Sequence, residues 1–354
     1  MPAFSAQGAT VGQRRPAIIA GVGSSSEGGE QAVGCGLDAL EVWVRDRIGR
    51  DASFVPLPVE ASTRRFFRVV ADGDTCVAMH SPPASENNAQ FVRLSRIFHA
   101  AGLPVPAILH QDAERGFFLV TDVGDRDFAS VYASDTEAPL RAAIEALVRL
   151  QQVQSRDIPP YTTRRFDDEL GIFAEWFVGK LLGMAPDATF HAAKRVLIDA
   201  IAAMPTCVVH RDYHSRNLLW NEGRLGIVDF QDALVGPATY DIASLLRDCY
   251  HAFSEAEVAR WRRHFRVRSG LAVEEDAFAR AFDFTAIQRQ LKAVGIFVRL
   301  RYRLGRGSHL ADVLPVLSRV IALCRSYEEL GALADWLVGL VHVAEPKLRA
   351  IAEP

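Results

Sequence analysis

The stretch VVHRDYHSRNLLW, residues 208–220, gathers side chains that do chemistry: His210, Asp212 and His214 at alternate positions, then Asn217. A further acid, Asp229, follows in IVDFQ. Two chemistries use such sets. Histidines four apart suit zinc when they share a helix face, but no glutamate follows His210, and VVH and NLLW read as strands. The soft ligand nearest to hand, Cys207, falls in that strand. Phosphoryl transfer needs a carboxylate that orients a hydroxyl and accepts its proton, with hard oxygen ligands holding Mg²⁺ against the phosphates. Asp212 fits the first role, and the Asn217 amide oxygen and Asp229 carboxylate fit the second. The pattern H-R-D-x-x-x-x-N, with an acid closing the β-type run LGIV downstream, predicts phosphoryl transfer.

Neighbouring residues have plainer roles. His210 reads as a packing and hydrogen-bonding anchor of the loop. Asp241 in GPATYDIASLL sits at a helix start and reads as a cap or loop anchor rather than a reactive group. Asp232 either faces the site or caps a turn.

These residues need a frame. Residues 1–36, rich in Gly, Ser, Ala and Gln, show no periodicity and are expected to form a flexible extension. From residue 37, one helical run leads into strands at SFVPLPVE, RRFFRVVA and TCVAMHS, a helix over about 87–101, and strands at VPAILH and GFFLVTD. This predicts a small antiparallel lobe over 37–121. Beyond TDVGDRDF the patterns are helical: about 136–153, 166–183, 188–203, 239–252, 255–267, 275–303 and 309–328. The expected fold is α+β and bilobal, with a helical lobe over 122–354 carrying the polar loop.

Composition sets outer limits. A net charge of −3 gives no basic field for nucleic acid or an anionic membrane. Five scattered cysteines without a CxxC pair argue against a disulfide framework. RRPAIIAGVG is too short an apolar run for a signal peptide and ends in Gly and Ser, so a cytoplasmic protein is expected.

The block HRDYHSRN…DFQD and the β-then-helical layout resemble the aminoglycoside phosphotransferase and choline kinase branch of the protein-kinase-like fold. That resemblance implies Asp212 as catalytic base and Asn217 and Asp229 as Mg²⁺ ligands. ASTRRFFRV, VAMHSPP, LVTDVGDRDF, ELGIFAEWFV, IVDFQDALVGPATYDIASLLRD and QRQLKAVGIFVRL, in this order, are similar to the anomeric cell-wall sugar kinases of Gram-negative bacteria, over about 53–335. What the likeness implies is transfer from ATP to C1 of N-acetylmuramate or N-acetylglucosamine in peptidoglycan recycling, with no nucleic acid, membrane or obligate protein partner.

Two departures from the protein-kinase pattern matter. Met79 or His80 stands where that pattern has a phosphate-pairing lysine, and no lysine precedes Lys180. Backbone N–H groups and arginine, whose fork suits phosphate, are expected instead, from Ser62, Thr63, Arg64, Arg65 and Arg68. Gln231 replaces the glycine of D-F-G and no A-P-E follows, which disfavours a flipping segment and a protein substrate. Adenine is expected against Met79, Val69 and the hinge around Leu119, Thr121 and Asp122.

For the acceptor, Glu169, Glu175 and Trp176 fall on one helix, Glu169 and Trp176 near one face. Gln288 and Arg289 lie on a later helix, with His214 and Asp232 beside the loop. Arg289 is expected to meet a lactyl carboxylate. Other readings are a kinase of choline, an aminoglycoside or homoserine, or a nucleotide-binding pseudokinase scaffold. The missing lysine favours the scaffold, and the retained Asp212, Asn217 and Asp229 oppose it.

Overall fold

The computed structural model describes residues 27–58, 63–132 and 136–352. Helix α1 (Glu27–Ile48) precedes strands β1 (Ser53–Pro56), β2 (Arg65–Ala71) and β3 (Asp74–His80), then α2 (Asn88–Ala100), β4 (Ile108–Asp112) and β5 (Phe117–Thr121). The boundary drawn at residues 36 and 37 therefore falls inside a helix, and residues 27–36 are helical rather than a structureless extension. The five strands form one antiparallel sheet in the order β1-β2-β3-β5-β4.

Strand alternation divides this sheet into two faces. Val69, Ala78, Phe117 and Leu119 pack against Leu40, Trp43 and Val44 of α1. Val77, Met79, Phe118 and Val120 face the other way, into the main core with Phe91, Leu94 and Phe98 of α2. Phe66 pairs with Met79, and Met79 with Phe118, so one row of apolar side chains crosses three strands on that second face.

The rest is mainly helical: α3 (Phe128–Val131), α4 (Glu137–Gln151), α5 (Thr163–Ile172) running into a π-helical segment (Phe173–Leu181), and α6 (Ala188–Ala202). Then come β6 (Thr206–Val209), β7 (Leu218–Asn221), β8 (Arg224–Ile227), β9 (Leu234–Pro237), α7 (Tyr240–Leu246), α8 (Glu255–Ser269), α9 (Glu275–Leu304), α10 (Val313–Arg325) and α11 (Gly331–Ala352). β6 pairs with β9 and β7 with β8, so two short ribbons bracket the polar loop and the end of LGIV. α+β describes the whole.

α9 is the spine of the larger lobe, and a glycine sets how closely it seats. A Cβ on Gly295 would stand 2.6 Å from the Ile172 carbonyl oxygen and 2.7 Å from the Phe173 nitrogen, at the junction of α5 and the π-helical segment. Both are backbone atoms and have no rotamer with which to yield. Gly→Ala in an open helix is favourable by ~1 kcal/mol, whereas overpacking costs roughly 1–3 kcal/mol. Gly295→Ala is expected to lower the midpoint of denaturant unfolding; a rise would show that the two elements do not touch here.

Candidate active site

The loop between β6 and β7 is pinned from beneath. Asp241, fully buried at the start of α7, accepts from the backbone N–H of His210 at 2.6 Å and of Arg211 at 2.9 Å. Arg211 has φ +80°, a conformation that non-glycine residues avoid, and this pair of bonds holds it there. Burial pushes the Asp241 carboxyl up to about 7, against the pull of the two N–H bonds. Farther along, Asp248 accepts from the N–H of Ser215 at 2.9 Å and of Tyr250 at 3.0 Å. His210, 1% exposed, bonds through Nε2 to the Val228 carbonyl at 3.0 Å, and burial lowers its pKa to about 4, so it is a neutral anchor at physiological pH.

Asp212 sits half-buried on the floor of a cleft of about 930 Å³ between sheet and helices. Burial alone would push its carboxyl up. Lys292, Arg289, His214 and Arg211 together outweigh burial and hold it well below the usual carboxylate range. Asn217 donates through Nδ2 to the Asp212 carbonyl at 2.9 Å, which leaves its Oδ1 open as an acceptor. The same Nδ2 lies 3.5 Å from Asp229 Oδ2.

Asp229 has φ +64° at the end of β8, which turns its carboxylate toward the loop. Its carboxyl is raised, first by its enclosure in protein and next by the charge of Asp212. Asp212 and Asp229 facing one cleft, with an amide oxygen beside them, make a set of hard oxygen donors. Such a set suits Mg²⁺, which is held by one or two carboxylates and completes its shell with waters and phosphate oxygens. Among the described residues no three His, Cys, Asp or Glu side chains form a metal-holding group, so the protein offers too few ligands for a closed metal cage.

Gln231 explains the altered D-F-G. Its Nε2 donates to Asp229 Oδ1 at 2.6 Å, and its carbonyl accepts from Gln90 Nε2 of α2, also at 2.6 Å. Phe230 is buried between Phe91, stacked at 5.5 Å, and Phe98.

The upper cleft suits a flat apolar ring. Phe66, Val77, Met79 and Val120 line it from the sheet, Leu219 and Val228 from below, with Thr121, Asp122 and Val123 along its back. Leu119 and Val69 do not face it: alternation turns both to the α1 side, so Leu119 has only its backbone to offer and Val69 is no wall for a ring. Gly124, at φ +99°, lets the hinge lie against the β7-β8 ribbon, since a Cβ there would fall 1.7 Å from the Asn221 amide.

The arginines separate clearly. Arg68 is clamped by Asp122 at 2.6 Å and by Asp125, so it braces the hinge and does not line the cleft. Arg65 lies exposed, outside the cleft lining. Arg64 is 5% exposed and lines the cleft, with its guanidinium 3.1 Å from both Ser81 Oγ and Glu86 Oε2. Thr63 also lines the cleft, and Ser62 lies outside the described residues.

The expected acceptor helix is corrected. Glu169 is 6% exposed and absent from the cleft wall; Arg211 at 2.9 Å, Lys292 at 3.0 Å, Gln288 at 3.2 Å and the Tyr161 hydroxyl all converge on it. A buried carboxylate with two cations is a structural hub, and fully buried Gln288 belongs to it. Glu175 is exposed and Trp176 lies under the Arg303 guanidinium at 4.9 Å, both away from the cleft. The shared-face argument for Glu169 and Trp176 fails because the helix widens to π geometry from Phe173. Arg289 does line the cleft, but it donates to the Arg211 carbonyl and lies on the Tyr240 ring at 4.7 Å, so it steadies the loop. His214 and Asp232 are on the wall as expected, joined by Arg216, Ser244, Arg247, Tyr250, Gln290 and Lys292. Lys292 stands with Gln288 and Arg289 in QRQLK, while no motif marks most of the others.

A five-stranded sheet packed on a helical lobe, with Asp212, Asn217 and Asp229 at a cleft that also holds an apolar slot, is the layout of a bilobal phosphotransferase. The chain belongs to the phosphotransferase enzyme family, whose profile matches residues 53–282. It is similar to the N-acetylmuramate/N-acetylglucosamine kinase of Pseudomonas putida, at 35% identity over 84% of this chain and 95% of that one. The kinase of the same name from Neisseria meningitidis is also 35% identical, over 82% of this chain and 92% of its own length. Among solved structures, a choline/ethanolamine kinase family protein from Mesorhizobium loti superposes with a TM-score of 0.62 at 16% identity, covering 90% of this chain and 100% of its own. An aminoglycoside phosphotransferase bound to ADP and hygromycin B gives 0.60 at 17% identity, covering 82% and 99%.

Proposed function

We propose that the protein transfers the γ-phosphoryl group of ATP to the C1 hydroxyl of an N-acetylated amino sugar, N-acetylmuramate or N-acetylglucosamine, in peptidoglycan recycling. The observation that carries this reading is the cleft itself. Asp212 faces it with Asn217 and Asp229 alongside, in a chain that aligns over most of its length with two amino-sugar kinases. Asn217 and Asp229 would hold Mg²⁺, which would supply neutralisation of the phosphate charge. Adenine occupies the apolar slot under Met79 and Val120, with Thr121 and Asp122 at its edge, and Arg64 meets the phosphates from the sheet.

Charge on the acceptor side favours a sugar over the substrates of the structural neighbours. Arg216, Arg289 and Lys292, the last also paired with Glu169, line that end with two acids, Asp232 and Asp248, of which Asp248 is occupied by two backbone N–H groups. A quaternary ammonium or polyamine would be repelled by the cations there, whereas a neutral or carboxylate-bearing sugar would not be. Transfer from ATP and Mg²⁺ to a panel of N-acetylmuramate, N-acetylglucosamine, choline and kanamycin tests the reading. Phosphorylation of the amino sugars alone, giving an acid-labile and alkali-stable phosphate, is expected. Turnover of choline or kanamycin with silence on the sugars would replace it.

A further inference from the structure

Polar atoms buried in a folded protein nearly always have partners, so those without one on a cleft wall mark where a ligand supplies it. Such atoms on the acceptor side include His214 Nδ1 and Arg247 Nε, and also Ser244 Oγ on α7 and Gln290 Oε1 on α9, in residues 2% and 1% exposed. The Gln290 side chain has only one orientation open to it. Its Nε2 donates to the Arg247 carbonyl at 2.9 Å, so the remaining Oε1 is purely an acceptor. Arg247 closes α7 three residues after Ser244, so its carbonyl ties Gln290 to the same end of that helix. The Ser244 hydroxyl rotates freely and can donate.

A ligand that satisfies both must present an N–H or O–H to Gln290 and an acceptor to Ser244. A single sugar hydroxyl would have to serve both groups from one oxygen, whereas a donor and an acceptor on separate atoms can span the two helices. A secondary amide points its N–H and its C=O in opposite directions and does. Ala293 and Phe297 follow Gln290 on the same face of α9 and also line the cleft, an apolar seat for an acyl methyl.

We propose that Ser244 and Gln290 are the acetamide-recognition pair of the acceptor site. Gln290 Oε1 accepts the acetamide N–H, Ser244 Oγ–H donates to its carbonyl, and the methyl lies against Ala293 and Phe297. The inference rests on the amino-sugar reading and adds which group of the sugar is read and by what.

The test compares kcat/KM for N-acetylglucosamine with that for glucose, which lacks the acetamide, in wild type, Ser244→Ala, Ser244→Thr and Gln290→Leu. The wild-type ratio is expected to favour the acetamido sugar. Ser244→Ala and Gln290→Leu are expected to reduce that ratio by about ten- to a hundredfold, as loss of one buried hydrogen bond does. Ser244→Thr, which keeps a hydroxyl, is expected to restore most of it. A ratio that stays at its wild-type value while both rates fall together would assign these residues to packing and overturn the proposal. If Gln290→Leu does not fold, the two Ser244 variants decide alone. Wild-type protein that phosphorylates no acetamido sugar would overturn the amino-sugar reading itself. Acetamido-sugar turnover with an intact preference in Ser244→Ala overturns only the assignment of the pair.

Discussion

Asp212→Asn is expected to lower kcat by about 10²–10⁴-fold, the usual worth of a positioned proton acceptor, while ATP still binds. The substitution keeps shape and the loop's anchors, since Asp241 and Asp248 hold backbone N–H groups that it does not touch. What disappears is the charge toward which Lys292, Arg289, His214 and Arg211 are directed. A carboxyl held so far below its ordinary range is a weak base. On the proposed function it would act by aiming the acceptor hydroxyl and taking the proton late, as the new P–O bond forms, which suits a loose phosphoryl-transfer transition state. The same depression makes the ionised group stabilising above its unfolded-state pKa, with that contribution lost as pH falls through the folded one. The variant is therefore expected to melt at or slightly below the wild-type temperature at neutral pH. Steady-state kinetics with ATP titrated at saturating acceptor checks the first point. A kcat within tenfold of wild type would remove Asp212 from the reaction.

Asp229→Asn is expected to abolish most activity with the opposite effect on the free protein. A cation offsetting phosphate charge is worth several kcal/mol in the transition state, which corresponds to a fall of about 10²–10⁴-fold at 1.36 kcal/mol per decade. The Asp229 carboxyl is raised, so its charged form is disfavoured in the fold. Stability from that group is present below its unfolded-state pKa and lost as pH rises through the folded value. At neutral pH, without metal, the asparagine variant is expected to unfold at the same temperature as wild type or higher. Wild type should gain thermal stability from Mg²⁺ with nucleotide, and the variant should gain little. EDTA should silence wild type reversibly. An unchanged Mg²⁺ response in the variant would move the cation elsewhere.

The catalytic loop was legible because phosphoryl transfer constrains both residue type and spacing along one short segment. Asp212, Asn217 and Asp229 come together as the spacing implied, and the sheet lobe follows from period-two alternation in β1 to β5. Elsewhere sequence reasoning stopped where contacts become non-local. Arg68 looked equal to Arg64 until Asp122 and Asp125, distant in sequence, closed on it. Glu169 had the chemistry of a sugar ligand, but whether a carboxylate meets a substrate or two internal cations is decided by helix packing. Helical spacing beyond Ile172 would have needed a regular helix, and the π geometry from Phe173 broke that premise. The start of α1 was assigned to a flexible extension because its Gly-, Ser- and Gln-rich sequence shows no helical periodicity, and α11 was not assigned.

The seat of Phe230 bears on how this enzyme can be inhibited. Phe230 is wedged between Phe91 and Phe98, and the residue after it is tied to both Asp229 and α2. Compounds that enter by displacing such a phenylalanine and occupying the space it leaves would first have to break an aromatic stack and two hydrogen bonds. Inhibitor scaffolds of that kind are poor starting points here. Molecules that bridge the apolar slot and the acceptor wall, holding the cleft as it stands, are better ones.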